Sequence, residues 1–363
     1  MHNIYLVLEN GKVFKGGAFG AYDEVTGEIV FTTGVAGYLE TLTDPSYYGQ
    51  MVVQTFPLVG NYGVIPADFE SDTPALKAYI VREWCQEPSN FRSEGTLDTF
   101  LKAHGIVGLC GVDTRELTKI IREHGVMGAR IVHSLDHLSD EIELVKQYRI
   151  EDAVAAVSCK EITCEQPLQC INKVVLWDFG AKANIKRELL KRGCEVICVP
   201  YNTTAEEILS YQPDGIMLSN GPGDPAENSG VIHEIKHLCK ASIPIFGICL
   251  GHQLLALAQG ASTRKMKYGH RGANQPVKYI KTGKVYISSQ NHGYAVRAES
   301  LPQHAHESFV NANDGSCEGV EYDNIPAFSV QFHPEACAGP QDTAFLFDRF
   351  IEVMNMNKGA AKQ

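Results

Sequence analysis

The apolar positions of this chain follow two different patterns, and the change falls near residue 150 to 172. In the first part, Ile4 to Glu9 is an apolar run leading into Asn10-Gly11, a tight-turn pair, with Lys12 to Phe14 as the predicted return strand. Glu28 to Thr33 reads as a further strand. Ser93 to His104 and Thr114 to His124 carry helical spacing, and the second opens on the cap candidates Asp113-Thr114 and closes at Gly125. From Lys173 the pattern alternates. Predicted strands at Lys173–Asp178, Glu195–Val199, Gly215–Ser219 and Pro244–Ile248 are separated by predicted helices at Asn184–Arg192, Thr204–Tyr211 and Val231–Lys240, and Leu250–Gln259 follows as another helix. Short apolar strands alternating with amphipathic helices imply a parallel sheet covered on both faces. Pro276 to Gln331 is strand-rich, with Asp314-Gly315 as a hairpin turn. A closing helix is expected near Gln341 to Met354, with a frayed tail over Asn357 to Gln363.

The reading is therefore a β-rich α+β domain over 1–150, a polar connection over 151–172 centred on Ser158 to Gln169, and an α/β domain over 173–356. A length of 363 residues suits two domains. The net charge of −11 argues against a nucleic-acid partner, whose phosphates call for basic patches. The most apolar window, Ile243 to Ala261, contains a proline, three glycines, a histidine and two glutamines, so no membrane span is expected. Eleven cysteines with no secretory signal at the N-terminus point to reduced thiols and a cytoplasmic protein. Cys159, Cys164 and Cys170 cluster without a C-x-x-C pair. His133 with His137, and His233 with His237, have the spacing that places two imidazoles on one helix face; only the second pair carries the glutamate of an H-E-x-x-H site, at Glu234, and both pairs are read as exposed helix histidines. No metal is expected.

In an open parallel sheet the ligand lies beyond the carboxyl ends of the strands, which turns attention to the loops after Ser219 and Ile248. Gly247-Ile248-Cys249-Leu250-Gly251 ends a strand and begins a helix at once, the arrangement of a nucleophile elbow with cysteine in place of serine. A helix N-terminus favours thiolate over thiol, and the N–H of Leu250 is placed to receive a developing oxyanion. Taken alone, the pattern also fits a small core cysteine. Ala327 to Phe332 reads as a strand delivering His333, and Glu335, two positions on, can face the same side if the chain stays extended. Ser219-Asn220-Gly221-Pro222-Gly223-Asp224-Pro225 exposes backbone N–H groups at the same sheet edge. It lacks the lysine and hydroxyl of a nucleotide-binding loop, which leaves an oxyanion cradle or a plain turn.

The three segments in this order, GPGDP, GICLGHQ and HPE, resemble the class I, or triad, glutamine amidotransferases over roughly Lys173 to Met354. Asp44-Pro45-Ser46-Tyr47, Gly111 to Arg115, Asp178 to Lys182 and Gln290 to Tyr294 extend the likeness to nearly the whole chain, which is similar to the small subunits of carbamoyl phosphate synthetases. The fold class implied is a parallel-sheet class I amidotransferase domain behind a β-rich α+β N-terminal domain. The resemblance implies Cys249 as nucleophile, His333 as base and Glu335 as its orienter. It implies a pocket for L-glutamine at Ser46, Gly221, Gly223, Leu250, Gln253, Asn291, Gly293 and Tyr294, the last standing where some members have phenylalanine. It further implies no cofactor in this chain, with ATP and magnesium on a separate large subunit. A heterodimer or higher assembly follows, and ammonia is passed on for arginine or pyrimidine biosynthesis. The rivals are an amidotransferase serving another synthetase, a catalytically silent regulatory chain and a free-standing cysteine hydrolase.

Overall fold

A computed structural model describes residues 2–361, which form two compact units dividing after Ala153. In the first unit seven strands close into a barrel, in the order Asn3–Leu8, Val13–Gly20, Val107–Cys110, Ala78–Ile80, Gln50–Gln54, Val25–Thr32 and Met127–Val132. Closure leaves no unpaired strand edge. Three neighbouring pairs in this barrel are parallel, and parallel neighbours cannot be joined by a tight turn. The crossovers account for the helices Tyr38–Thr43 and Leu97–Ala103. Val30, Val52 and Tyr79 of the barrel pack in one core with Leu97, Phe100 and Leu101.

Two details differ from the sequence expectation. The helix expected from Ser93 starts at Leu97, because Thr96 accepts from the Thr99 N–H and Thr99 reciprocates, a capping box that fixes the first turn. His133 follows the strand Met127–Val132 and stacks on Tyr22, whereas His137 precedes the helix Leu138–Gln147, so these two histidines share no helix face. Thr114–His124 forms as read, capped by Asp113 and stopped at Gly125, whose φ of +96° a side chain would resist.

The second unit is built on a ten-stranded sheet. Its centre is parallel, in the order Cys194–Pro200, Asn172–Asp178, Gly215–Leu218, Ile245–Ile248 and Ala327–Val330. Beyond Ala327–Val330 the sheet continues antiparallel through Cys317–Tyr322, Ala305–Asn311, Thr263–Tyr279 and Val285–Val296. Alternation along the central strands fills two cores. Val175, Trp177, Ile216 and Leu218 pack with Leu254 and Leu255 on one face, while Leu176, Met217, Phe246 and Ile248 pack with Phe347 and Phe350 on the other. Doubly covered strands of this kind read as continuous apolar runs.

The polar stretch expected to connect the domains belongs to the second unit. Val154 is buried in its core, and Thr163–Glu165 adds an antiparallel edge strand against Cys194–Pro200. Exposed, polar edge strands resemble loops in sequence because only one ladder holds them. The closing helix runs Phe345–Ala361, so Asn357 onward is helical rather than frayed; Lys362 and Gln363 lie outside the described residues. No described helix is long and apolar enough to cross a membrane.

Candidate active site

The strand Ile245–Ile248 and the helix Leu250–Ala258 meet at Cys249, whose φ of +53° and ψ of −102° make a sharp reversal. Three other described non-glycine residues have positive φ, and all three are exposed, whereas Cys249 is only 2% exposed. A non-glycine residue in this region costs on the order of 1–3 kcal/mol and persists only where its surroundings dictate it. Here they do. Cys249 N–H donates to Val330 O at 2.8 Å, and its carbonyl accepts from Gln253 N–H at 3.2 Å. A Cβ on Gly247 would stand 2.8 Å from Gly251 O, and one on Gly251 would stand 2.3 Å from Leu218 O, so both glycines are required by close approach.

The Cys249 thiol donates to Asn291 O (3.7 Å) and receives Gln331 Nε2 (3.6 Å). His333 is fully buried. Its N–H donates to Ser289 O at 2.9 Å, and its Nδ1 meets Glu335 Oε1 at 2.6 Å. Its other ring nitrogen, Nε2, is buried and has no partner at ordinary hydrogen-bond distance among the described residues, although the Cys249 side chain acts on the ring. Burial and the Lys182 ammonium both disfavour a charged imidazole, but the Glu335 carboxylate and the neighbouring Cys249 outweigh them and raise the His333 pKa to about 10. Glu335 is correspondingly held below the usual carboxylate range: burial opposes this, and His333 and Lys182 prevail. Both shifts favour a charged imidazole paired with a carboxylate. The contact does not come from an extended chain. Pro334 and Glu335 form a turn, and Ala336 N–H reaches back to His333 O at 3.4 Å.

The loop after Gly215–Leu218 packs directly on the helix start. Gly251 N–H donates to Ser219 O at 3.0 Å. A Cβ on Gly221 would lie 2.2 Å from Phe179 O and 2.8 Å from Leu250 Cδ2, and Gly223 has φ +88°. Leu250 is the first helical residue, so its N–H has no intrahelical acceptor and is available to an anion. Gln253 Nε2 bridges Tyr294 O and Gln331 Oε1, each at 2.9 Å, which ties the helix to the strand carrying Asn291, Gly293 and Tyr294. Ten of the eleven residues singled out from sequence thus sit in the second unit around one strand-end cluster. Ser46 lies in the first unit, in the short turn Pro45–Tyr47, with its N–H held by Asp44 at 2.9 Å.

The sequence reading missed three contributors. Lys182 stands 3.9 Å from Glu335, with its N–H on Asn220 Oδ1 at 2.9 Å. It fell within the Asp178–Lys182 run noted above but carried no signal of its own. Gln331 lies two positions before His333, the spacing that places strand residues on one side, and that signal was available. Asn220 is wholly buried and holds the Gly180 carbonyl as well, at 3.0 Å. Elsewhere, Cys159 with Asp178 and Cys198, His233 with Glu234 and His237, and His270 with His292 and Glu318 gather three possible metal ligands each. His233 and His237 are exposed on the helix Ser229–Leu238.

Residues 175–353 match the family model described as glutamine amidotransferase class-I, and residues 6–131 match that of the carbamoyl-phosphate synthase small chain, CPSase domain. A carbamoyl phosphate synthase small chain of Fusobacterium nucleatum is 52% identical over 98% of this chain and 99% of its own length. The chain belongs to the carbamoyl phosphate synthase small chain family. A relative of the same name from Streptococcus pneumoniae is 52% identical over 97% of this chain and 98% of its own length, and one from Clostridium perfringens is 49% identical over 96% and 98%. Among solved structures, a putative GMP synthase protein of Thermoplasma acidophilum aligns over 53% of this chain and 98% of its own at TM-score 0.48 and 24% identity. Membership makes the chain a glutamine amidotransferase subunit, with a class I amidotransferase domain behind a β-rich N-terminal one.

Proposed function

We propose that Cys249, His333 and Glu335 are the residues with which this subunit releases ammonia from L-glutamine. The observation that carries the reading is the buried ion pair His333–Glu335 (2.6 Å), whose imidazolium also responds to the charge of Cys249 at the strained elbow. The thiolate attacks the side-chain amide carbon, and the oxyanion forms against the Leu250 N–H and the Gly221–Gly223 loop, each donor worth on the order of 3 kcal/mol in the transition state. The carbon–nitrogen bond then breaks, His333 gives its proton to the leaving nitrogen, and ammonia departs from a γ-glutamyl thioester. Water attacks the thioester next and passes its proton to His333, which yields glutamate and restores the thiolate–imidazolium pair. Glu335 fixes the ring and supports its charge throughout.

Gln253, Asn291, Gly293 and Tyr294 would hold the amino-acid end of glutamine, and the family resemblance adds Ser46 to the residues that bind it. In this reading the N-terminal domain, read from sequence over residues 1–150, docks a large subunit that binds ATP and magnesium, and the two form a heterodimer or a higher assembly in the cytoplasm. Ammonia passes to that partner for carbamoyl phosphate synthesis, which serves arginine or pyrimidine formation. The test is glutamate release from glutamine by the full chain and by Cys249→Ser, with and without the large subunit. Loss of at least about a thousandfold in the variant is expected; unchanged release would overturn the assignment.

A further inference from the structure

Beneath the strand that carries Asn291 and Tyr294 lies a second polar cluster to which the chemistry above assigns no task. Glu318, on the strand Cys317–Tyr322, has no exposed surface. Its Oε2 accepts from Gln290 Nε2 at 3.0 Å and its Oε1 from Asn311 Nδ2 at 3.2 Å. A carboxylate so placed is costly without a counter-charge. His270 supplies it, with Nδ1 at 3.4 Å from Glu318 Oε1 and Nε2 at 2.9 Å from Asp314 Oδ2. Asp314 is itself fixed, since its other oxygen accepts from both the N–H and the hydroxyl of Ser316. Burial opposes a charge on His270, and the two carboxylates overcome it and raise its pKa; burial also raises Glu318, against the pull of His270 and Asn311.

The cluster leads directly to the site. His270 stands opposite His292, and Gly272 opposite Gln290, in the ladder between Thr263–Tyr279 and Val285–Val296. That ladder shifts register on both sides, between Lys265 and His270 and again between Gly272 and Gln275, so three consecutive pairs lie between the two irregularities. Each irregularity leaves residues unpaired and disrupts the ladder locally. Side chains reinforce it: Gln290 is bonded to Glu318, and the edge of the His292 ring lies against His270 with centroids 5.0 Å apart. The backbone of the same strand meets three residues of the site. Ser289 O receives His333 N–H, Asn291 O receives the Cys249 thiol, and Tyr294 O receives Gln253 Nε2.

We infer that His270, paired with Glu318 and Asp314, is a positioning residue that holds the Gln290–Tyr294 backbone in register and thereby sets the affinity for glutamine. The inference rests on the proposed function, because it concerns the pocket assigned there. Loss of the pair lets the segment relax where it lines the pocket, which weakens substrate binding more than it slows the chemical step. Loss of folded protein does something else: it lowers kcat through the fraction of active molecules and leaves KM unchanged.

The experiment measures KM and kcat for glutamine hydrolysis by the full chain with its large subunit, for wild type, Glu318→Gln, His270→Gln and the double variant. Each single variant should raise KM about tenfold with kcat within about twofold, and the double variant should be no worse than either single one, because contacting residues are not additive. Asp314→Asn, at the half-exposed end of the pair, should raise KM about threefold and decides the matter if Glu318→Gln does not fold. KM values at the wild-type level, or a double variant in which the two effects multiply, would overturn the inference. A wild-type chain that releases no glutamate would instead refute the proposed function.

Discussion

Gly251→Ala sets two physical effects against each other at the elbow. Gly251 lies in the first turn of Leu250–Ala258, where alanine is the better helix former by about 1 kcal/mol. Its added methyl, however, would sit 2.3 Å from Leu218 O, with Leu218 C and Cβ at 2.7 Å. Ordinary contact begins near 3.4 Å, so relief requires a movement of about 1.1 Å (3.4 − 2.3). Leu218 cannot supply it, being wholly buried and paired in the centre of the sheet between Asn172–Asp178 and Ile245–Ile248. The helix start must therefore shift, stretching the 3.0 Å bond from Gly251 N–H to Ser219 O and carrying Cys249 and the Leu250 N–H with it. Misplacement of reacting groups by about 1 Å costs on the order of a hundredfold in rate, and overpacking costs about 1–3 kcal/mol. The expected outcome is a roughly hundredfold fall in kcat for glutamine hydrolysis, with a net loss of stability in urea unfolding despite the propensity gain. A variant more stable than wild type with kcat within threefold would show that close approach does not set the elbow.

Two further perturbations follow from the same structure. His333 is raised to about 10 from an ordinary value near 6.5, so its charge, and the stability its pairing contributes, is fully present below about pH 6.5 and is lost as pH rises through about 10. Glu335→Gln removes the carboxylate that supports this charge, so the alkaline limb of kcat/KM should move to lower pH. The deficit should reach on the order of a hundredfold at pH 9 and be much smaller at pH 6; a pH–rate profile parallel to wild type would refute the assignment of Glu335. Phe246 is wholly buried, with Phe328 stacked at 4.4 Å and Phe347 edge-on at 5.8 Å. Phe246→Ala should cost about 3–5 kcal/mol in denaturant unfolding, and a cost under about 1 kcal/mol would mean that this core closes the cavity freely.

Much of this protein was legible from local sequence, and for definite reasons. Apolar runs such as Lys173–Asp178 and Pro244–Ile248 declare doubly covered strands, because a strand buried on both faces has no polar positions to spare. Asp113 and Gly125 mark a helix start and stop through hydrogen bonds and a backbone angle that involve only neighbouring residues. These features need no distant partner, so the sequence alone determined them.

Other features depend on residues far apart in the chain. The edge strand Thr163–Glu165 is polar and exposed, and it is a strand only because Cys194–Pro200 lies beside it. The contact between His333 and Glu335 arises from a turn at Pro334 rather than from strand alternation, with Lys182 brought from 153 positions away (335 − 182). His270, Gln290, Asn311, Asp314 and Glu318 have no shared motif, and they meet because antiparallel strands set them side by side. Sequence determined which segments form strands and helices and which turn carries the thiol. The tertiary structure decided which charges face each other, because in a low-dielectric interior the state of an ionisable group is set by distances of about 3–4 Å to partners that no local pattern records.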